Sequence, residues 1–355
     1  MPDRPKAIAL LSGGLDSTLA VKMIIEQGID VHAVNFTSPF CNCSSRKAGC
    51  VHQARKVAAE FGVPIRVIAK GMDYMRVVEN APHGYGRGMN PCIDCRIYML
   101  RKVRDLMAEI GAGFVITGEV LGQRPMSQRR PAIELIERES GLAGRILRPL
   151  SAKFFPPTIP EAEGIVDRER LMAVSGRSRK VQIELAEQLG VRDYPCPAGG
   201  CLLTDPVIAE RLRDLFLHTP DYTQADLVLL TLGRQFRLHP ELKIVVGRVK
   251  EENERIQKLA GPGQYLYSPG DFRGPSVLAV GIPRERDDTT IGEIMAGYSQ
   301  DERSEYLVEK QTRRAQRSNF AVKGRFPRRR LEAYRIGAEV KFPDCPAVET
   351  LPVGG

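Results

Sequence analysis

Apolar positions along the first two hundred residues fall into short blocks separated by turn-forming residues. Ala7–Leu11 is an unbroken apolar run of strand length. It ends in Ser12-Gly13-Gly14 and passes into Leu19–Ile25, where the spacing is helical. The alternation then repeats. Val31–Phe36 predicts a second strand, 51–62 a helix, Pro64–Ile68 a third strand, and Ile97 to about Ile110 a long basic helix. Ala112–Glu119 reads as a fourth strand with its turn, Arg145–Leu150 as a fifth strand, and 167–190 as helical segments. Strands alternating with helices predict an α/β domain with a parallel sheet, placed at residues 1–205. Residues 80–91, rich in Gly and Pro, predict a flexible loop near the site.

From about Tyr222 the pattern changes. Gly233–Leu238, Lys243–Arg248, Gln264–Tyr267 and Gly274–Val280 read as short strands around one helix, Lys250–Ala260. These predict a smaller α+β domain over 222–312. Residues 313–355 are expected to be a basic extension.

Composition narrows the class. With 43% hydrophobic and 27% charged residues, the chain reads as an ordinary globular protein. It shows no long apolar span and no secretory leader, so no membrane partner and a cytoplasmic location are expected. The net charge is +9, and Arg303–Arg335 alone holds eleven Lys/Arg against three Glu. Phe320, Phe326 and Tyr334 are interleaved with those cations. Such a stretch suits phosphate neutralisation and base stacking, which points to a polyanionic partner.

The chemistry gathers in two sets of residues. In Ser12-Gly13-Gly14-Leu15-Asp16-Ser17-Thr18, glycines permit a tight turn that aims N–H groups and a helix N-terminus at an anion. No G-x-x-x-x-G-K-[ST] is present, which excludes a Walker loop. Asn35, at the end of the second strand, would flank an adenine beside the first loop. Seven of the eight cysteines come in close groups: 41/43/50, 92/95 and 196/201. Cys41, Cys43 and Cys50 lack a fourth ligand and read as part of a loop. Cys92 and Cys95 form a C-x-x-C at a helix start, where the dipole favours thiolate. That suits a redox pair, a metal site or a persulfide carrier. The basic start Ser175–Lys180 could meet phosphate or be a solvated helix end.

The strand–Ser-Gly-Gly-x-Asp-Ser–helix arrangement resembles the PP-loop ATP pyrophosphatases (adenine nucleotide α-hydrolase-like). Thr117-Gly118-Glu119-x-Leu121-Gly122-Gln123, with Ser127-Gln128 after it, narrows the resemblance to the catalytic domain of ThiI-type tRNA 4-thiouridine synthases. The resemblance implies ATP-dependent tRNA thiolation. Ser12, Gly13, Gly14, Asp16, Ser17 and Thr18 would hold pyrophosphate and Mg²⁺, while Gly118 and Gln123 would line the nucleotide or base pocket. Cys201, after Gly199-Gly200, resembles the late cysteine of tRNA thiolases, with Cys196 as its competitor.

For the cysteines the resemblance implies either a [4Fe-4S] cluster on Cys92, Cys95 and Cys201 or a persulfide resolved by a second cysteine. A structural zinc on Cys92, Cys95, Cys196 and Cys201 is the third reading. The sulfur donor would be a cysteine desulfurase or free sulfide. The THUMP region that usually precedes such a domain has no counterpart before Ser12. Residues from about 225 to 300 resemble the RNA-binding domain of the NFACT family, which makes tRNA the expected partner. A PP-loop enzyme acting on a small molecule is the alternative, and oligomeric state is not readable.

Overall fold

The computed structural model describes residues 4–41, 50–192, 194, 200–261, 264–311 and 316–337. Cys43, Cys196 and Cys345 lie outside the described residues, as do Arg313, Arg314 and the chain beyond Gly337. Two compact units divide at Asp205/Pro206.

The first unit alternates strands and helices: β1 (Lys6–Leu10), α1 (Leu15–Ile25), β2 (Asp30–Thr37), α2 (Cys50–Glu60), β3 (Ile65–Ala69), α3 (Met72–Glu79), α4 (Cys92–Ile110), β4 (Phe114–Thr117), α5 (Arg130–Ser140), β5 (Ile146–Leu147), α6 (Ile159–Ala162) and α7 (Lys180–Gln188). The five strands run parallel in the order β3-β2-β1-β4-β5. Side chains of successive strand residues point to opposite faces. Accordingly Ala7 and Ala9 pack with α1, α2 and α7, while Ile8 packs with α4 and α5. A strand buried on both faces has to be apolar throughout, which is why Ala7–Leu10 shows no alternation. The strand order reverses between β1 and β4. In an open parallel sheet a ligand crevice forms at such a point, at the carboxyl ends of the strands.

The second unit contains α8 (Pro206–His218), α9 (Gln224–Leu229), β6 (Arg234–His239), β7 (Leu242–Val246), α10 (Lys250–Leu259), β8 (Gln264–Pro269), β9 (Val277–Gly281), α11 (Glu285–Tyr298), β10 (Tyr306–Gln311), β11 (Arg317–Val322) and α12 (Arg328–Leu331). Its six-stranded antiparallel sheet has the order β11-β10-β8-β9-β7-β6. One face packs on α11, and the other on the apolar side chains of α9 and α10.

The basic stretch differs from the sequence expectation. Arg317–Val322, placed from sequence in an extension beyond 312, is the edge strand paired with β10. Several of its cations are already engaged. Lys310 pairs with Asp288, Arg303 with Asp271 and Arg335 with Glu332. Arg325 donates to the Tyr306 hydroxyl, and Arg328 to the Gly297 carbonyl. Phe320 meets Tyr267 edge-on, and Phe326 packs against the core. Of the three interleaved aromatics only Tyr334 remains substantially exposed, at 41%. The sequence reading missed this because the alternation Tyr306, Val308 inward and Leu307, Glu309 outward is short and framed by charge.

Candidate active site

The loop after β1 is built to receive an anion. Gly13 adopts φ +76°, and a Cβ there would lie 2.7 Å from the Ala54 backbone nitrogen on α2. Both the turn and the close approach therefore require glycine. Helix α1 begins after Gly14 with no side-chain cap on its first turn, so its leading N–H groups are left for a ligand. The Ser12 and Ser17 hydroxyls sit 3.0 Å apart, and Ser17 Oγ donates to the Gly14 carbonyl at 2.9 Å. Thr18 Oγ1 also donates to Gly14, at 3.1 Å, and its side chain is buried.

A cavity of about 710 Å³ opens at the reversal point. Ser12, Gly14, Asp16, Ser17, Asn35, Gly118 and Gln123 line it, as do Cys92, Cys95 and Cys201. Gly13 and Thr18 are not lining residues; they shape the loop from behind. Asn35 Nδ2 donates to the Leu11 carbonyl at 2.8 Å, and its buried Oδ1 has no partner. Gly118 acts by its smallness, since a Cβ there would lie 2.5 Å from the Ser17 nitrogen. The turn after β4 thus runs directly against the first turn of α1.

Asp16 is the acid of the loop. Its Oδ2 accepts from Gln123 Nε2 at 3.1 Å and lies 3.8 Å from Arg179. Its buried Oδ1 has no partner. An orphaned carboxylate oxygen beside the anion loop fits a divalent cation such as Mg²⁺. Arg177 and Arg179 reach the rim because the Gly176 N–H donates to the Leu121 carbonyl at 2.7 Å, clipping their segment to the β4 turn.

The three cysteines occupy different environments. Cys92 opens α4, and Asn90 Nδ2 donates to its sulfur at 3.1 Å. Cys95, one turn on, accepts from Lys70 Nζ at 3.1 Å. Cys201 is fixed by its neighbours: Leu202 N–H donates to Phe40 O at 2.9 Å, and Met89 N–H to Leu203 O at 2.8 Å. Burial first, then the nearby Cys95 and Cys92 sulfurs, pushes the Cys201 thiol up to about 11. Burial and the same three sulfurs also push the Tyr74 phenol upward. Cys92, Cys95 and Cys201 thus share one cavity lining with Tyr74. Among the described residues no group of three or more His, Cys, Asp or Glu is placed to hold a metal ion. The competing Cys196, and with it the zinc set that includes it, lies outside the described residues.

Residues 80–91, expected to be a flexible loop, are tied by several bonds. Tyr85 donates to the Val78 and Glu79 carbonyls, Gly88 N–H to Asn90 Oδ1, and His83 Nδ1 lies 2.7 Å from Asp94 Oδ1.

In the cavity lining, Glu119 is buried with Arg148 Nε at 3.1 Å and Arg96 Nε at 3.0 Å. Burial alone would raise its carboxyl. Arg96, Arg148 and the Thr117 hydroxyl outweigh burial and hold it below the ordinary glutamate range. This network ties α4, which carries the cysteines, to β4 and β5. Sequence reasoning missed Lys70, Tyr74, Asn90, Arg96 and Arg148 as site residues. Asn90 and Arg96 flank the C-x-x-C, but Lys70, Arg96 and Arg148 meet partners more than twenty residues away in the chain.

Residues 4–153 match the family model described as thiamine biosynthesis protein (ThiI), and residues 233–335 match that of the NFACT protein RNA-binding domain. The tRNA-specific 2-thiouridylase MnmA of Geobacter metallireducens is 26% identical over 305 residues, covering 75% of this chain and 77% of that protein. MnmA of Nitrobacter winogradskyi is 30% identical over 144 residues, covering 37% of this chain and 36% of that one. The chain thus spans about a third of the length of the latter relative. A solved 4-thiouridine synthetase–RNA complex with bound ATP is similar at 23% identity, with TM-score 0.34, covering 53% of this chain and 52% of that one.

Proposed function

With a ThiI-type PP-loop domain and an NFACT-type RNA-binding domain in one chain as the premise, we propose that the protein is an ATP-dependent tRNA sulfurtransferase. The observation that carries this reading is the single cavity that the anion loop and three cysteines both line. ATP adenylation and sulfur delivery need that proximity.

The α1 N-terminus with Ser12, Gly14 and Ser17 would receive the pyrophosphate of ATP. Asn35 Oδ1 would accept from the adenine amine. Arg177 and Arg179 would balance phosphate charge. A uridine carbonyl oxygen attacks the α-phosphorus and pyrophosphate leaves; a sulfur nucleophile then attacks the ring carbon and AMP leaves. Asp16 would hold Mg²⁺, which when bound screens phosphate charge. Cys92, Cys95 and Cys201 would hold a [4Fe-4S] cluster, which when bound supplies a site for exogenous sulfide. That sulfide would come from a cysteine desulfurase or from free sulfide. Lys70 and Asn90 orient the Cys95 and Cys92 sulfurs.

In the second unit Arg317, Lys323 and Arg329 are exposed. They would meet tRNA phosphates. Among the described residues no helix is long and apolar enough to cross a membrane. The test is AMP release from ATP by the purified chain with and without unmodified tRNA. Release that requires tRNA supports the reading. Release that ignores tRNA and follows a small acceptor contradicts it.

A further inference from the structure

Cys41 and Cys201 face each other across an isolated antiparallel bridge. The Leu202 N–H donates to the Phe40 carbonyl at 2.9 Å. A bond from the residue after one member to the residue before the other marks a non-hydrogen-bonded pair. In such pairs the Cα atoms lie about 4.5 Å apart and the side chains come closest. A disulfide spans Cα separations of roughly 4.4–6.8 Å. The register therefore sets the two cysteines directly opposite each other, in the pairing whose usual Cα separation falls within the range a disulfide spans.

Both strands of the bridge are held independently. The Cys41 N–H donates to the Ser38 carbonyl at 3.0 Å, and the Met89 N–H holds Leu203 at 2.8 Å. Cys201 lines the cavity with Cys92 and Cys95, whereas Cys41 is not among the lining residues. Both are half-buried. From this juxtaposition we infer that Cys41 and Cys201 are a reversible dithiol/disulfide pair that withdraws Cys201 from the cavity.

The oxidant is a hydroperoxide. One thiol attacks the peroxide oxygen, becomes a sulfenic acid, and releases water or an alcohol. The second thiol then attacks that sulfur, the S–S bond forms, and the hydroxyl leaves as water. Two thiols lose two electrons and two protons, and the peroxide O–O bond takes them up. A small dithiol reverses the step by exchange. The consequence for catalysis rests on the thiolation reading, because it supposes that Cys201 serves sulfur delivery; the pairing itself does not.

The experiment treats the full chain with hydrogen peroxide, blocks remaining thiols with iodoacetamide, and maps linked peptides by mass spectrometry without reduction. The expected product joins the peptide containing Cys41 to the peptide containing Cys201 and disappears with dithiothreitol. Because Cys43 and Cys196 share the respective tryptic peptides, variants assign the bond. Cys41→Ser should abolish the link, and the Cys43→Ser, Cys196→Ser double variant should retain it. A link that survives Cys41→Ser, a bond confined to Cys92 and Cys95, or no bond at all overturns the inference. A reduced protein that never thiolates tRNA yet forms the link would leave the pair standing and remove the thiolation reading.

Discussion

Replacing Glu119 by Gln removes one charge from the buried network in the cavity lining while keeping its shape. Two guanidiniums lose their shared anion. Arg148 is 3% exposed but keeps Glu137 and the Ile146 carbonyl. Arg96 is 20% exposed and can turn toward solvent. Breaking a buried pair costs about 3–5 kcal/mol. The partners retained here put Glu119→Gln near the lower end, about 3 kcal/mol, or roughly a hundredfold in the folding equilibrium. Urea titration, with hydrogen exchange reading the peptide around β4, measures this. With a slope of about 2–3 kcal/mol/M the midpoint of the first unit falls by about 1 M. The carboxyl is depressed in the folded state. Its contribution is therefore complete above the unfolded value of about 4.3 and is lost as pH falls through the lower folded value. The gap between wild type and variant should narrow from about pH 4.3 downward. A variant within about 0.5 kcal/mol of wild type at pH 7, or a gap that widens in acid, would refute the reasoning.

Gly118→Ala sets a methyl 2.5 Å from the Ser17 nitrogen; overpacking costs about 1–3 kcal/mol, and ATP binding by calorimetry should weaken at least tenfold as the α1 turn is displaced. In the second unit Lys243 is 1% exposed, and burial first, with Arg237 and Arg211, pushes it down to about 8. The unfolded chain then binds more protons between about pH 8 and 10.5, so wild-type stability rises across that window. Lys243→Met should stabilise this unit by about 2–3 kcal/mol at pH 7 in urea titration, with the advantage fading between about pH 8 and 10.5 and absent above that window. Binding of tRNA should weaken with salt, and Arg317→Ala, Lys323→Ala and Arg329→Ala should each flatten the log–log slope by about one. Unchanged slopes would remove these residues from the interface.

The two halves of the site were unequally legible in sequence. The anion loop is contiguous because one strand–turn–helix supplies it whole, so Ser12–Thr18 could be read directly. Cysteine spacing singled out Cys92, Cys95 and Cys201 without deciding their role, and the fold sets all three on one cavity. Lys70 and Tyr74 carry no such mark: one follows the end of β3, the other sits at a helical core position, and only tertiary packing brings Lys70 to the Cys95 sulfur. Glu119 could be read as part of a turn motif, but not its guanidinium partners, which lie 23 residues earlier and 29 later in the chain. The bridge that joins Cys41 to Cys201 crosses most of the first unit and left no local signal. In the second unit, charge density over Arg303–Arg335 concealed two strands, because exposed edge strands tolerate cations on their outer face.

The central claim is tested most directly by mass spectrometry of tRNA nucleosides from cells with and without this gene, complemented by wild type or by Asp16→Ala. The account predicts loss of one thionucleoside, restored by wild type and not by Asp16→Ala. A thionucleoside profile unchanged by the deletion, in cells without a second enzyme for the same modification, would contradict it.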